Sequence, residues 1–120
     1  MAKDFEQLTG ELSGTLAVMH KEMPEVMGAF SQLASSASAE GALDFKTKEL
    51  IALAIGVSCR CDGCIGFHTK KLVKAGASRQ ELQEMLGMAV FMGGGPSLMY
   101  AAEALNAFDQ FSKKTESAAA

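Results

Sequence analysis

The sequence has no tryptophan, a single tyrosine and two prolines among 120 residues. Valine and isoleucine are scarce beside alanine, leucine and methionine, and no run alternates apolar with polar residues. Strands are thereby disfavoured and helices favoured. The 11 basic residues form no block and are outnumbered by 14 acidic ones, for a net charge of −3, which argues against a nucleic-acid partner. Leu50 to Cys59 is too short to span a bilayer, and the uncharged stretch Met85 to Ala102 is broken by "GGGP", so no membrane span is expected. The charged N-terminus "MAKDFEQLTGELSG" has no apolar h-region. The expectation is a cytoplasmic chain.

A chain of this length builds one core without needing disulfides, so residues 1–120 read as a single domain. Its pattern divides into about six helices, an all-α fold. The first covers about Asp4 to His20 and the second Pro24 to Ser35, with Pro24 suited to a first helical position. "ASSASAEGALD", Ala34 to Asp44, reads as a linker. Asp44 then caps "FKTKELIALAIGVS", a helix apolar on nearly every face and so expected at the centre of the fold. A fourth helix runs from about Gly63 to Lys74 with Asp62 as its N-cap, stops at Gly76 and carries Ile65, Leu72 and Ala75 on its apolar stripe. "SRQE", Ser78 to Glu81, is a capping box opening a fifth helix that carries Leu82, Met85, Leu86 and Ala89. "GGGP" ends it, and Pro96 begins a sixth with Leu98, Met99, Leu105, Phe108 and Phe111. The tail "SKKTESAAA" is expected to fray.

All three cysteines and one of the two histidines fall in "CRCDGCIGFH", Cys59 to His68. The cytosol keeps thiols reduced, which points to catalysis, redox sensing or metal before a structural staple. With a helix starting near Asp62, Cys64 lies in its first turn and His68 one turn on, on the same face. Cys61, three residues before Cys64, has dithiol spacing. Helix N-terminal amides and a nearby imidazole both favour thiolate. A zinc site from Cys59, Cys61, Cys64 and His68 is the rival reading, although structural zinc usually draws on two separated ligand pairs. On the residues alone Glu49 reads as a carboxylate complementing its helix dipole, beside Lys46 and Lys48. His20, between Met19 and Lys21, reads as a surface or boundary residue without a function. "GGGP" lacks the Lys and Ser/Thr of a phosphate loop and reads as a close-packed helix break.

"KELIALAIGVSCRCDGCIGFHTKKLVKAGAS" and "MGGGPSLMYAAEAL" together resemble the carboxymuconolactone decarboxylase family, in its alkylhydroperoxidase D-like branch. The shared signature is a Glu, a C-x-x-C twelve residues later and a His four beyond the second Cys, matched here by Glu49, Cys61, Cys64 and His68. The resemblance implies an all-helical fold assembled as homo-trimers or hexamers. It implies a peroxidase or disulfide oxidoreductase without a cofactor or metal, in which Cys64 attacks a hydroperoxide, Cys61 resolves it as a disulfide, and Glu49 with His68 relays a proton. The electron donor it implies is a dithiol, a lipoyl protein or a thioredoxin-like partner. Asp62 and Gly63 stand between the cysteines, where alkylhydroperoxidase D carries a histidine. Cys59 lies outside the signature. A low-turnover redox sensor, a zinc module and a lactone decarboxylase are the other functions weighed, and the retained C-x-x-C argues against the last.

Overall fold

The structure is a computed structural model that describes residues 2–119. Six helices and no strand occur among the described residues: α1 (Phe5–Glu22), α2 (Pro24–Ser38), α3 (Phe45–Ser58), α4 (Asp62–Lys74), α5 (Arg79–Gly93) and α6 (Gly95–Ala119). None is long and apolar enough to cross a membrane.

Local chemistry sets most of the boundaries. The Asp4 carboxylate accepts from the N–H of Gln7, and that of Asp44 from the N–H of Thr47 at 2.8 Å, each satisfying an amide the first turn leaves free. Pro24 opens α2 directly after Met23. The capping box is present in full: Glu81 N–H donates to Ser78 Oγ, and Ser78 N–H to Glu81 Oε1. Gly94 at φ 74° ends α5, and α6 starts one residue later at Gly95, just ahead of Pro96.

α4 is the central element, packing on α3, α6 and α1, while α5 closes against α3 and α6. Phe5, Leu53, Val57, Ile65, Leu72, Leu82, Leu86, Phe108 and Phe111 form the buried core, and Met85 and Leu105 pack against it. α2 buries no residue and rests on α1 and α3.

The structure corrects the sequence reading in several places. α2 continues through Ala34 to Ser38, into the segment read as linker, because alanine and serine tolerate helix when nothing breaks it. α3 is not enclosed on all sides: it buries Glu49, Leu53, Gly56 and Val57, whereas Ile51 and Ile55 are exposed, Ile55 by 58%. Leu98 and Met99 on α6 are likewise exposed, as is Ala75, which falls just past the end of α4 as its C-cap. Among the described residues α6 runs on through the tail to Ala119. The N-cap of α4 is Cys61 and not Asp62.

Candidate active site: a dithiol and a carboxylate–imidazole pair

The turn from α3 to α4 spends only three residues, Cys59 to Cys61. Arg60 N–H bonds the carbonyl of Val57 at 3.1 Å and Cys61 N–H that of Gly56 at 3.0 Å, the paired closure of a Schellman turn. Such a turn needs a left-handed residue, and here it is Arg60, at φ 57°. Glycine takes that conformation freely, whereas a side chain costs roughly 1–2 kcal/mol. Cys61 therefore closes one helix and caps the next.

As cap, Cys61 offers its Sγ to the N–H of Cys64 at 3.1 Å. The two sulfurs are paired at disulfide-bonding distance, with Cα atoms 5.2 Å apart. Both cysteines are half-buried. Cys64 owes its position to α3 as well, because a β-carbon built on Gly56 would come within 3.0 Å of the Cys64 Cβ.

One turn along α4 from Cys64, His68 turns its Nδ1 to Oε2 of Glu49, 2.5 Å away. Glu49 projects from α3 and is only 2% exposed, while the His68 side chain keeps 28% of its surface open. A carboxylate sealed in the core thus holds one ring nitrogen, fixing the orientation of an imidazole whose other side reaches solvent. This replaces the dipole reading of Glu49, which is neither in the first turn of α3 nor solvated. A shallow apolar cavity of about 290 Å³ opens at this pair, lined by Ala37 and Ser38 of α2, by Ile51, Ala52 and Ile55 of α3, and by His68. Lys48 holds the rim from α2 in place, its ammonium donating to the Ala37 and Ala39 carbonyls.

Glu49, Cys61, Cys64 and His68 are thus gathered at the α3–α4 contact. Cys59 is a free, exposed thiol at the end of α3, and His20 is exposed at the far end of α1. The four ligands weighed for zinc do not converge: no group of three or more Cys, His, Asp or Glu side chains among the described residues could hold a metal ion. Sequence reading missed Gly56 and Arg60. A lone glycine inside an apolar helix signals close backbone approach, but nothing local says what approaches.

Residues 24–107 match the Carboxymuconolactone decarboxylase family. The chain belongs to that family. An uncharacterized protein of Cupriavidus necator is 37% identical over 109 residues, covering 91% of this chain and 96% of its own length. Among solved structures, a carboxymuconolactone decarboxylase family protein from Legionella pneumophila is 61% identical, with a TM-score of 0.89 over 90% of this chain and 96% of that one. A family protein from Thermotoga maritima, described as having a possible involvement in antioxidative response, is 28% identical with a TM-score of 0.83 over 92% and 94%. The family places lactone decarboxylation and alkylhydroperoxidase-like chemistry side by side, and the site must decide between them.

Proposed function

We propose that this family member is a thiol-dependent peroxidase or disulfide oxidoreductase that reduces hydroperoxides through Cys61 and Cys64. The observation that carries the reading is the paired dithiol at the start of α4, one helical turn from an imidazole held by a buried carboxylate. Cys64, in the first turn, is the attacking thiol, and Cys61 is the resolving one.

In the first step His68, oriented by Glu49, takes the proton of the Cys64 thiol. The thiolate attacks the terminal oxygen of ROOH, the O–O bond breaks, and the alkoxide leaves as ROH with the proton His68 returns. Sulfur is oxidised by two electrons to sulfenic acid. Cys61 then displaces hydroxide from that sulfur, forming the disulfide and water. A dithiol donor, a lipoyl protein or a thioredoxin-like partner, restores both thiols by exchange and leaves as a disulfide. The suggested antioxidative role of the Thermotoga protein supports this direction.

The exposed apolar residues Ile55, Phe91 and Met92 support a homo-oligomer, a trimer or hexamer, as the working form. The reducing cytoplasm is the compartment this cycle requires.

The test is intact-mass spectrometry of the reduced protein before and after one equivalent of cumene hydroperoxide. Loss of two hydrogens, mapped to a Cys61–Cys64 peptide, is expected. Cys64→Ser abolishes peroxide consumption, and Cys61→Ser stalls after one equivalent. Full donor-dependent activity in both variants would sink the reading, and carbon dioxide release from a lactone acid with thiols blocked would replace it with decarboxylation.

A further inference from the structure

The redox cycle leaves one charged cluster beside the dithiol unused. Asp62 directly follows Cys61 and lies two residues before Cys64. Its Oδ2 receives the Lys3 ammonium at 2.9 Å, and the same ammonium lies 2.8 Å from Glu103 Oε1 on α6 and 5.6 Å from the Tyr100 ring centroid. The other oxygen of each acid, Asp62 Oδ1 and Glu103 Oε2, is buried with no hydrogen-bond partner among the described residues. Two partly desolvated carboxylates therefore share one cation. The hydrogen bonds to Glu103 and then to Asp62 push the lysine well above its ordinary pKa, so it stays charged.

Lys3 is also delivered to this place by the fold. Gln110 of α6 clamps the backbone directly after it, donating from Nε2 to the Lys3 carbonyl at 2.7 Å and accepting at Oε1 from the N–H of Phe5 at 2.9 Å. Phe5 itself is fully buried. The segment before α1 is thereby stapled across the bundle, and its ammonium meets a residue 59 positions away.

We propose that Lys3, by neutralising Asp62, sets the reduction potential of the Cys61–Cys64 couple; the inference rests on the redox reading above. A disulfide carries no charge, whereas its reduced form carries thiolate. An unneutralised carboxylate inside the C-x-x-C repels that thiolate and favours the disulfide. The ammonium cancels the repulsion, so two electrons and the accompanying protons pass more readily from a donor dithiol to the protein disulfide, which becomes two thiols while the donor becomes a disulfide. Lys3 and Asp62 touch no reacting atom; they act through the field at the sulfurs.

Equilibrium titration of the full chain against reduced and oxidised dithiothreitol, read by thiol alkylation, tests this. Lys3→Met is expected to shift the equilibrium about three- to tenfold toward the protein disulfide, where tenfold corresponds to about 30 mV for a two-electron couple. Lys3→Arg, which keeps the charge, should stay within about twofold of wild type, and Asp62→Asn should shift the equilibrium the opposite way. In the Asp62→Asn background Lys3→Met should still shift the equilibrium toward the disulfide, because the fields of the two charges add at the sulfurs and Glu103 still holds the ammonium. Equal shifts in Lys3→Met and Lys3→Arg, or shifts of the same sign in Lys3→Met and Asp62→Asn, would overturn the proposal and assign Lys3 a purely structural role. A reversible wild-type couple unmoved by Lys3→Met overturns the tuning role alone, whereas a wild-type chain with no reversible two-electron couple overturns the redox reading with it.

Discussion

Gly56 of α3 and Cys64 of α4 are packed so closely that a β-carbon on the glycine would stand 3.0 Å from the Cys64 Cβ. The same glycine accepts the N–H of Cys61 through its carbonyl. One residue without a side chain thus locates both sulfurs, one by a hydrogen bond and the other by the space it leaves open.

Gly56→Ala separates positioning from stability. Alanine gains roughly 0.5–1 kcal/mol of helix propensity, but the contact forces the start of α4 outward by a few tenths of an ångström. The two effects nearly cancel in stability, and the expected change in unfolding free energy by urea titration is under about 1 kcal/mol. The rate of single-turnover oxidation by cumene hydroperoxide should nevertheless drop by about tenfold or more, because misplacement of a nucleophile by a fraction of an ångström is costly.

The Glu49–His68 pair makes a complementary prediction. Glu49→Gln keeps the shape but loses the charge that orients and supports the imidazole. Peroxide reduction at fixed donor should fall by about 10²- to 10⁴-fold, the usual worth of acid–base assistance. His68→Ala leaves the buried carboxylate without its partner and should destabilise the chain by about 3 kcal/mol in urea unfolding. Combining it with Glu49→Leu should recover part of that loss, since the uncompensated charge is then gone.

Stability should fall on acidification through two solvated carboxylates. The bond from Thr47 holds Asp44 below its ordinary value, and Lys46, with help from Ser78, does the same for Glu81. A folded pKa below the unfolded one means the native state binds fewer protons, so the contribution is complete above the unfolded values near 3.8 and 4.5 and is lost as pH falls through the lower folded values. Asp44→Asn keeps a cap but removes one titration. Its melting temperature measured from pH 6 to pH 2.5 should decline less steeply than that of wild type.

Phe91 and Met92, each 77% exposed at the end of α5, are among the apolar side chains that the proposed homo-oligomer would cover. Light scattering is expected to give the mass of a trimer or a hexamer of the 12.6 kDa chain. Phe91→Glu with Met92→Glu should yield a smaller species with an unchanged helical circular dichroism spectrum. A wild-type monomer at micromolar concentration would contradict the oligomer proposal.

Much of the architecture was legible in the linear chain, and for local reasons. The Asp44 cap, the Ser78–Glu81 box and the stop before Pro96 all depend on residues within a turn of one another. The end of α2 was misjudged where alanine and serine leave helix and coil nearly equal, so tertiary context decides. The exposure of Ile51 and Ile55 was illegible because apolar character states that a surface avoids water, without saying which neighbour covers it.

The sequence by itself determined which residues could do chemistry: a C-x-x-C at a helix start, a histidine one turn on, and a glutamate twelve residues upstream. Backbone periodicity fixes relations along a single helix, and Cys64 with His68 needed nothing more. Only the tertiary structure decided that Glu49 lies 2.5 Å from His68, that Gly56 makes room for Cys64, and that Lys3 reaches Asp62. Those contacts cross between elements 8 to 59 residues apart in sequence, where the packing of α3, α4, α6 and the segment before α1 sets the geometry and no local rule reaches.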